Sequence, residues 1–173
     1  IVEDGNLNAL WCLGCALNLR NSIFKEKYDV FGLTYYYLSL AIQKGHLASI
    51  PSLCEILMQD EKHKEAFMFT YIGAQKKEIY CMWNLAMYYL CGITVSKSED
   101  RAVELFESIL EIINAKDSDK SAIYYSHYDG INKDEILELK EYTEHNLKIV
   151  KSNSDSWRKY FDLEVCRKYQ KKT

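Results

Sequence analysis

The sequence is poor in the residues that interrupt helices, with one proline and seven glycines among 173 residues. Proline lacks a backbone donor and glycine is entropically unfavourable inside a helix, so their scarcity predicts long helices joined by short turns. The sequence also lacks any apolar run of about 18 residues, the length that a membrane-spanning helix needs. We therefore expect a helical protein that does not insert into a membrane.

Motifs of the common enzyme and metal sites are missing as well. The chain has no Gly-x-Gly-x-x-Gly or phosphate-binding loop, no Gly-x-Ser-x-Gly turn and no His-Glu-x-x-His pair. We therefore expect no catalytic residue, no metal site, no cofactor and no enzymatic activity. The four histidines are scattered along the chain rather than paired at helical spacing: His46, His63, His127 and His145.

The net charge of −3 gives no general attraction to nucleic acid or to an anionic membrane. The charge is unevenly distributed, however. From Lys151 onward, seven basic residues stand against three acidic ones, which leaves this segment at +4 and the remainder of the chain at −7. We interpret the basic segment as a solvated terminal helix.

Six cysteines follow no regular spacing, and a chain of this length does not need a disulfide framework. Cys12-Leu13-Gly14-Cys15 could be a redox or metal-binding pair, but no second pair and no histidine lies at metal-site spacing from it. We favour the alternative, two core cysteines on adjacent turns of an amphipathic helix. We interpret all six as reduced thiols of an intracellular, cytoplasmic protein: Cys12, Cys15, Cys54, Cys81, Cys91 and Cys166.

A segment of ten residues occurs three times. Gly5–Gly14 reads Gly-Asn-Leu-Asn-Ala-Leu-Trp-Cys-Leu-Gly, and Lys77–Ala86 repeats it as Lys-Glu-Ile-Tyr-Cys-Met-Trp-Asn-Leu-Ala. A weaker copy, Gly45–Cys54, lies between them. The starts at 5, 45 and 77 give periods of 40 and 32 residues, the range of stacked helical hairpins. We therefore predict a single repeat domain over 1–173, with repeats at 5–44, 45–76 and 77–113 and a degenerate repeat with a capping helix at 114–173.

Helix boundaries follow from apolar spacing and from residues that favour helix ends. Gly45 and Gly92 each tolerate the left-handed conformation that ends a helix, and Ser98 is a suitable cap for the helix that follows. Pro51 can be accommodated only if its helix begins near Ser49, with Ser49 as the cap, or if that helix is kinked. Apolar residues at spacings of three and four predict further helices at 6–19, 29–44, 133–151 and 154–171, with a short one at 122–128.

Small and aromatic residues recur at fixed positions of the repeats. In the third repeat they are Leu85-Ala86, Tyr89, Gly92, Val95, Arg101-Ala102 and Leu105-Phe106, with Cys81 at a further small position. The first two repeats keep Ala9, Leu13-Gly14, Leu17, Tyr37, Ala41 and Gly45, and then Leu53-Cys54, Ala66, Phe69 and Gly73-Ala74. This pattern, over about residues 5–113, resembles the Sel-one-like repeat, a helical hairpin related to the tetratricopeptide repeat.

The resemblance implies an all-α fold, a right-handed α-solenoid of stacked helix-turn-helix repeats in which the first helix of each hairpin lines a concave groove. Trp11 and Trp83 share one register, and such rings are frequent anchors of binding grooves. Either ring could instead be wedged between neighbouring hairpins as part of the core. The groove positions that the resemblance implies are Asn8, Trp11, Cys15, Asn18, Glu55, Met58, Tyr80, Trp83 and Met87.

A repeat protein without catalytic motifs is typically a binding protein. We expect an adaptor or scaffold that holds a protein or peptide partner in the groove. Two alternatives stay open, a regulatory subunit or enzyme activator and a helical repeat that binds nucleic acid. The latter would need basic groove positions, whereas the implied ones are neutral or acidic, so we expect no nucleic-acid partner. Because the chain opens with Ile1 rather than methionine, we also expect a fragment of a longer protein.

Overall fold

A computed structural model describes residues 6–19, 30–118 and 133–152 of the chain. Over these ranges the chain forms α-helices and no strand, which confirms the all-α prediction for this part of the molecule. The short helix expected at 122–128 and the last helix at 154–171 lie outside the described residues. The helices are α1 (Leu7–Leu19), α2 (Val30–Gln43), α3 (Ser49–Gln59), α4 (His63–Gln75), α5 (Ile79–Cys91), α6 (Glu99–Ser118) and α7 (Lys133–Ser152).

The predicted helix boundaries agree closely with the observed ones. The first two helices begin one residue later than predicted, and α7 extends one residue beyond the predicted end. Gly45 has a φ of 96° and Gly92 a φ of 66°, so both adopt the left-handed conformation expected at a helix end. The hydroxyl of Ser98 accepts a hydrogen bond from the backbone N–H of Arg101 at 3.4 Å, as expected for the cap of α6.

Pro51 lies in the first turn of α3, which begins at Ser49. Backbone N–H groups have no partner within the helix at that point, so the missing donor of proline costs nothing there. The prediction that Ser49 caps the helix is wrong. The cap position is held by Ala48, which makes no side-chain capping bond, and the Ser49 hydroxyl is instead bonded to the ring of His46.

Tertiary contacts divide the chain into two compact units, residues 1–69 and 70–173, with the boundary inside α4. In the first unit, α1 packs against both α2 and α3, and α2 also packs against α3. In the second unit, α6 packs against α5 and α7. Neighbouring helices of each unit therefore form compact groups, while the stacking of all hairpins into a right-handed solenoid remains a prediction.

The core of the first unit forms where α2 and α3 meet the start of α4. Gly14 of α1 lies against this core, because a Cβ atom there would stand only 2.7 Å from Cδ2 of Leu38. Leu38 is 1% exposed and has little room to move, so α1 can approach α2 this closely only with glycine at this position. The buried members of the cluster are Leu38, Leu53, Ile56, Leu57 and Ala66.

Among the described residues of the second unit, the largest fully buried side chain is Phe106 of α6. Ala86 of α5 and Ala102 of α6 are both fully buried, and small side chains of this kind let two helices approach closely. The same two positions belong to the repeat pattern in the sequence. On α7, the buried Thr143 hydroxyl donates to the carbonyl of Leu139 at 2.6 Å, which satisfies it within its own helix.

The turns that precede α3 and α5 have the same backbone geometry. Before α3, Gly45 is left-handed and the N–H of His46 donates to the carbonyl of Ala41 at 3.0 Å. Before α5, Lys77 is left-handed with a φ of 59°, and the N–H of Glu78 donates to the carbonyl of Gly73 at 3.0 Å. Both are Schellman motifs, which satisfy the last carbonyls of the preceding helix.

Because Lys77 holds a conformation that disfavours any residue with a Cβ atom, we expect Lys77→Gly to stabilise the protein. The gain in the free energy of unfolding should be about 1 kcal/mol. The matched change, Gly45→Ala, should lower that free energy by a similar amount through the backbone alone, since a Cβ at Gly45 would have no neighbour within 4 Å. Urea unfolding followed by circular dichroism measures both, and equal stability of both variants and wild type would contradict the expectation.

Candidate functional site

Three of the predicted groove residues lie where α1 meets the start of α3. Asn8, Trp11 and Cys15 are spaced by three and four residues, so they form one stripe along α1. Their side chains make hydrogen bonds to His46, in the turn before α3, and to Ser52 of α3. We call these five residues, together with the exposed Cys12, Glu55 and Gln59 beside them, the α1–α3 seam.

Trp11 is held in a defined orientation in this seam. Its indole N–H donates to the hydroxyl of Ser52 at 3.0 Å. Its ring lies 5.7 Å from the ring of His46, centroid to centroid, with 36° between the planes. The side chain is partly exposed and also packs against the core of the first unit. Trp11 therefore packs against the core and also keeps part of its surface accessible, while its place in a binding groove stays a prediction.

Cys15 shares its acceptor with Trp11. Its sulfur lies 3.7 Å from the hydroxyl oxygen of Ser52, to which the thiol donates. Burial raises the pKa of the Cys15 thiol, and the nearby Cys12 and Glu55 raise it further, while the hydrogen bond to Ser52 acts in the opposite direction. The thiol form of Cys15 is therefore favoured over the thiolate in the folded protein.

His46 connects α1 to α3 through both ring nitrogens. Nε2 lies 2.9 Å from Oδ1 of Asn8, and Nδ1 lies 2.8 Å from the hydroxyl of Ser49. An amide oxygen can only accept, so Nε2–H is the donor to Asn8, and the Ser49 hydroxyl completes the second bond at Nδ1. His46 is 2% exposed, so each of these bonds replaces a contact with water that the ring has lost.

A hydroxyl, an imidazole and an amide in one chain of hydrogen bonds are also the groups of a nucleophilic site. Here Ser49 is fully buried and His46 nearly so, which leaves no path for a substrate carbonyl to reach the serine oxygen in this conformation. The arrangement therefore supports a structural role, in which buried polar groups hold the register of α1 against α3.

The two other predicted residues of the first unit differ in their surroundings. Glu55 is exposed and accepts a hydrogen bond from the amide of Gln59 at 3.3 Å. Met58 is partly buried, packs against the core cluster, and has its sulfur 3.3 Å from Nδ1 of His63. Glu55 therefore faces solvent at the seam, whereas Met58 mainly supports the core. The side chain of Asn18 lies outside the described part of the structure.

In the second unit, Tyr80, Trp83 and Met87 lie on α5. Met87 is 3% exposed and thus belongs to the buried side of the helix. Trp83 is partly buried, and among the described residues its buried indole N–H has no hydrogen-bond acceptor. Burial raises the pKa of Tyr80 to about 12, with smaller contributions from the charges of Glu135, Glu78 and Glu138.

Sequence reasoning missed His46, Ser49 and Ser52 as partners of the predicted residues. The sequence did contain a signal for the two serines, because Ser49 and Ser52 are three residues apart and so lie on one face of α3. His46 also holds the same repeat position as Glu78, and both are buried polar residues directly after a left-handed turn. Glu78 caps α5, since its carboxylate accepts from the backbone N–H groups of Tyr80 and Cys81.

The chain was compared with protein-family models, with curated proteins and with solved structures. None of the three comparisons found a match. In the described ranges, no helix has both the length and the apolar character needed to cross a membrane. Over the same ranges, no three potential ligands from histidine, cysteine, aspartate and glutamate are grouped closely enough to hold a metal ion. Function must therefore be inferred from the seam itself.

Removing the amide oxygen that faces His46 should destabilise the first unit. Asn8→Ala leaves a buried imidazole N–H without this acceptor, and we expect the free energy of unfolding to fall by about 1–3 kcal/mol. Asn8→Asp keeps an oxygen acceptor at the same place and should retain most of the stability. Urea unfolding of the three proteins checks this, and a loss of similar size in both variants would contradict the role assigned to the oxygen.

The raised pKa of Tyr80 predicts a loss of stability in alkali. The unfolded chain ionises this phenol near 10.0, whereas the folded protein keeps it protonated up to about 12. Its contribution to stability is therefore complete below the first value and is lost as the pH rises to the second. The ultraviolet difference titration of wild type against Tyr80→Phe should show one phenol ionising near the upper value. A phenol that ionises near 10.0 in the difference titration would contradict the raised pKa of Tyr80.

Proposed function

We propose that this chain is a helical-repeat adaptor of the Sel-one-like type, which binds a protein or peptide partner along the first helices of its hairpins. The repeated sequence supports this proposal. Helical repeats of this kind use extended surfaces of neighbouring hairpins for binding. The described cysteines form no disulfide with one another, which suits a reducing, intracellular compartment.

The single observation that carries the proposal is the oriented, partly exposed ring of Trp11 in the α1–α3 seam. Its N–H is already satisfied by Ser52, so a partner needs only to cover the apolar surface of the ring. The hydrogen bond and the neighbouring His46 ring restrict the side chain before binding, which lowers the entropy that association would cost. Tryptophan held in this way is the residue type most often found at the energetic centre of an interface.

The polar residues around Trp11 indicate the chemistry of the partner. Glu55 is the charged residue of the seam, and its carboxylate is exposed beside Gln59. A partner segment with an apolar side chain for Trp11 and a basic side chain for Glu55 would fit both groups. An anionic backbone such as that of a nucleic acid would meet a carboxylate there and no basic residue of the seam, which disfavours it.

The proposal is tested by selecting peptides from a random library on the purified protein and measuring their affinity by fluorescence anisotropy. We expect selected peptides to combine apolar and basic residues. Trp11→Ala should weaken their binding by about 30-fold, the effect of an energetic centre of about 2 kcal/mol. Tyr36→Ala is the matched control, because it removes an aromatic side chain that is 59% exposed on α2 and is not one of the seam residues.

Circular dichroism establishes whether each variant is folded. If Trp11→Ala unfolds, Trp11→Leu replaces it, since leucine keeps an apolar side chain against the core and removes the aromatic ring offered to the partner. Unchanged affinity of a folded Trp11→Ala protein would exclude the seam as the binding site. Trp83→Ala is measured separately, so that the contribution of the second unit is judged by itself.

A further inference from the structure

The adaptor role proposed above does not use the thiols of Cys12 and Cys15. They lie three residues apart on α1, a helical spacing that brings their Cα atoms to about 5 Å from each other. Disulfides in proteins usually join Cα atoms about 4.4–6.8 Å apart. On a regular helix, however, the Cβ atoms of such a pair lie about 5–6 Å apart. A disulfide spans about 3.5–4.5 Å between Cβ atoms, so joining the two residues requires a local adjustment of the α1 backbone as well as of the side-chain torsions.

The two thiols differ in solvent exposure, which suits an attacking and a resolving cysteine. Cys12 is exposed to solvent, whereas Cys15 is partly buried and donates to Ser52. The other cysteines of the described residues are less accessible than Cys12: Cys54 and Cys81 are buried, and Cys91 is intermediate.

We propose that Cys12 and Cys15 are a reversible thiol–disulfide exchange site for low-molecular-weight disulfides of the glutathione type. Cys12 is the attacking residue because an incoming disulfide can reach it. Cys15 is the resolving residue because it lies one helical turn away, close enough to displace the small thiol from Cys12. This inference does not depend on the adaptor function.

The exchange is balanced in two steps. The Cys12 thiolate attacks one sulfur of the small disulfide, whose S–S bond breaks, and one small thiolate leaves. The Cys15 thiolate then attacks the Cys12 sulfur, forms the protein disulfide and expels the second small thiolate. The protons lost from the two cysteines end on the two released thiols. The protein is oxidised by two electrons, and the small disulfide is reduced to two thiols.

Formation of the Cys12–Cys15 disulfide would also change the surroundings of Trp11, because Trp11 and Cys15 share Ser52 as a hydrogen-bond acceptor. To join Cys12, the sulfur of Cys15 must turn away from the hydroxyl of Ser52. The hydroxyl then loses the hydrogen bond from Cys15 and keeps the one from Trp11. The environment of the indole changes, and a disulfide forms close to it. The fluorescence of Trp11 should therefore change with the redox state of the pair, and Trp11→Phe should abolish that change.

The test treats the full chain with oxidised glutathione, alkylates the remaining thiols and maps tryptic peptides by mass spectrometry. The peptide that ends at Arg20 contains Cys12 and Cys15 and no other cysteine, so an internal disulfide is seen directly. We expect wild type to lose both alkylation sites of this peptide and a dithiol reductant to restore them. Cys15→Ser should instead accumulate a glutathione adduct on Cys12, because the resolving thiol is missing.

Cys91→Ser is the control and should form the same internal disulfide as wild type. Cys12→Ser should leave Cys15 reduced, since the accessible thiol is gone. The proposal is overturned if wild type forms no internal disulfide, if Cys12→Ser is modified at Cys15 as fast as wild type is oxidised, or if Cys91 reacts before Cys12. Circular dichroism of each variant checks the fold, and the chemical readout is independent of any partner.

Discussion

His46 sets the position of α1 relative to α3, and the candidate site depends on that position. The residue follows the left-handed Gly45, so the turn directs its side chain inward as the chain enters α3. Its two ring nitrogens then bond Asn8 on one helix and Ser49 on the other. Since an unpaired nitrogen in this buried place would be costly, one relative placement of the two helices is favoured over others that pack equally well.

Ser52, one turn further along α3 than Ser49, contacts both residues on which the two proposals rest. Ser52 accepts hydrogen bonds from the indole of Trp11 and from the thiol of Cys15. The first of these bonds orients an aromatic surface suited to a partner, and the second links the same hydroxyl to a thiol that has an exposed neighbour, Cys12. A single acceptor thus connects the proposed anchor with the proposed exchange site.

Equivalent positions of the internal repeat have taken different roles in the two units. His46 and Glu78 both follow a left-handed residue and are both buried. The imidazole bridges two helices, whereas the carboxylate caps its own helix and adds to the negative charge around Tyr80.

Local sequence determined the helices and the turns between them. Apolar spacing located α1, α2 and α7 almost to the residue, and Gly45 marked a helix end, because periodicity and left-handed turns act over a few neighbouring residues. The same spacing placed Trp11 on one stripe of α1 with Asn8 and Cys15. Only the tertiary structure decided what that stripe contacts. The bonds from Trp11 to Ser52 and from Asn8 to His46 join residues 41 and 38 positions apart, and such pairings arise from the packing of whole helices rather than from any local pattern.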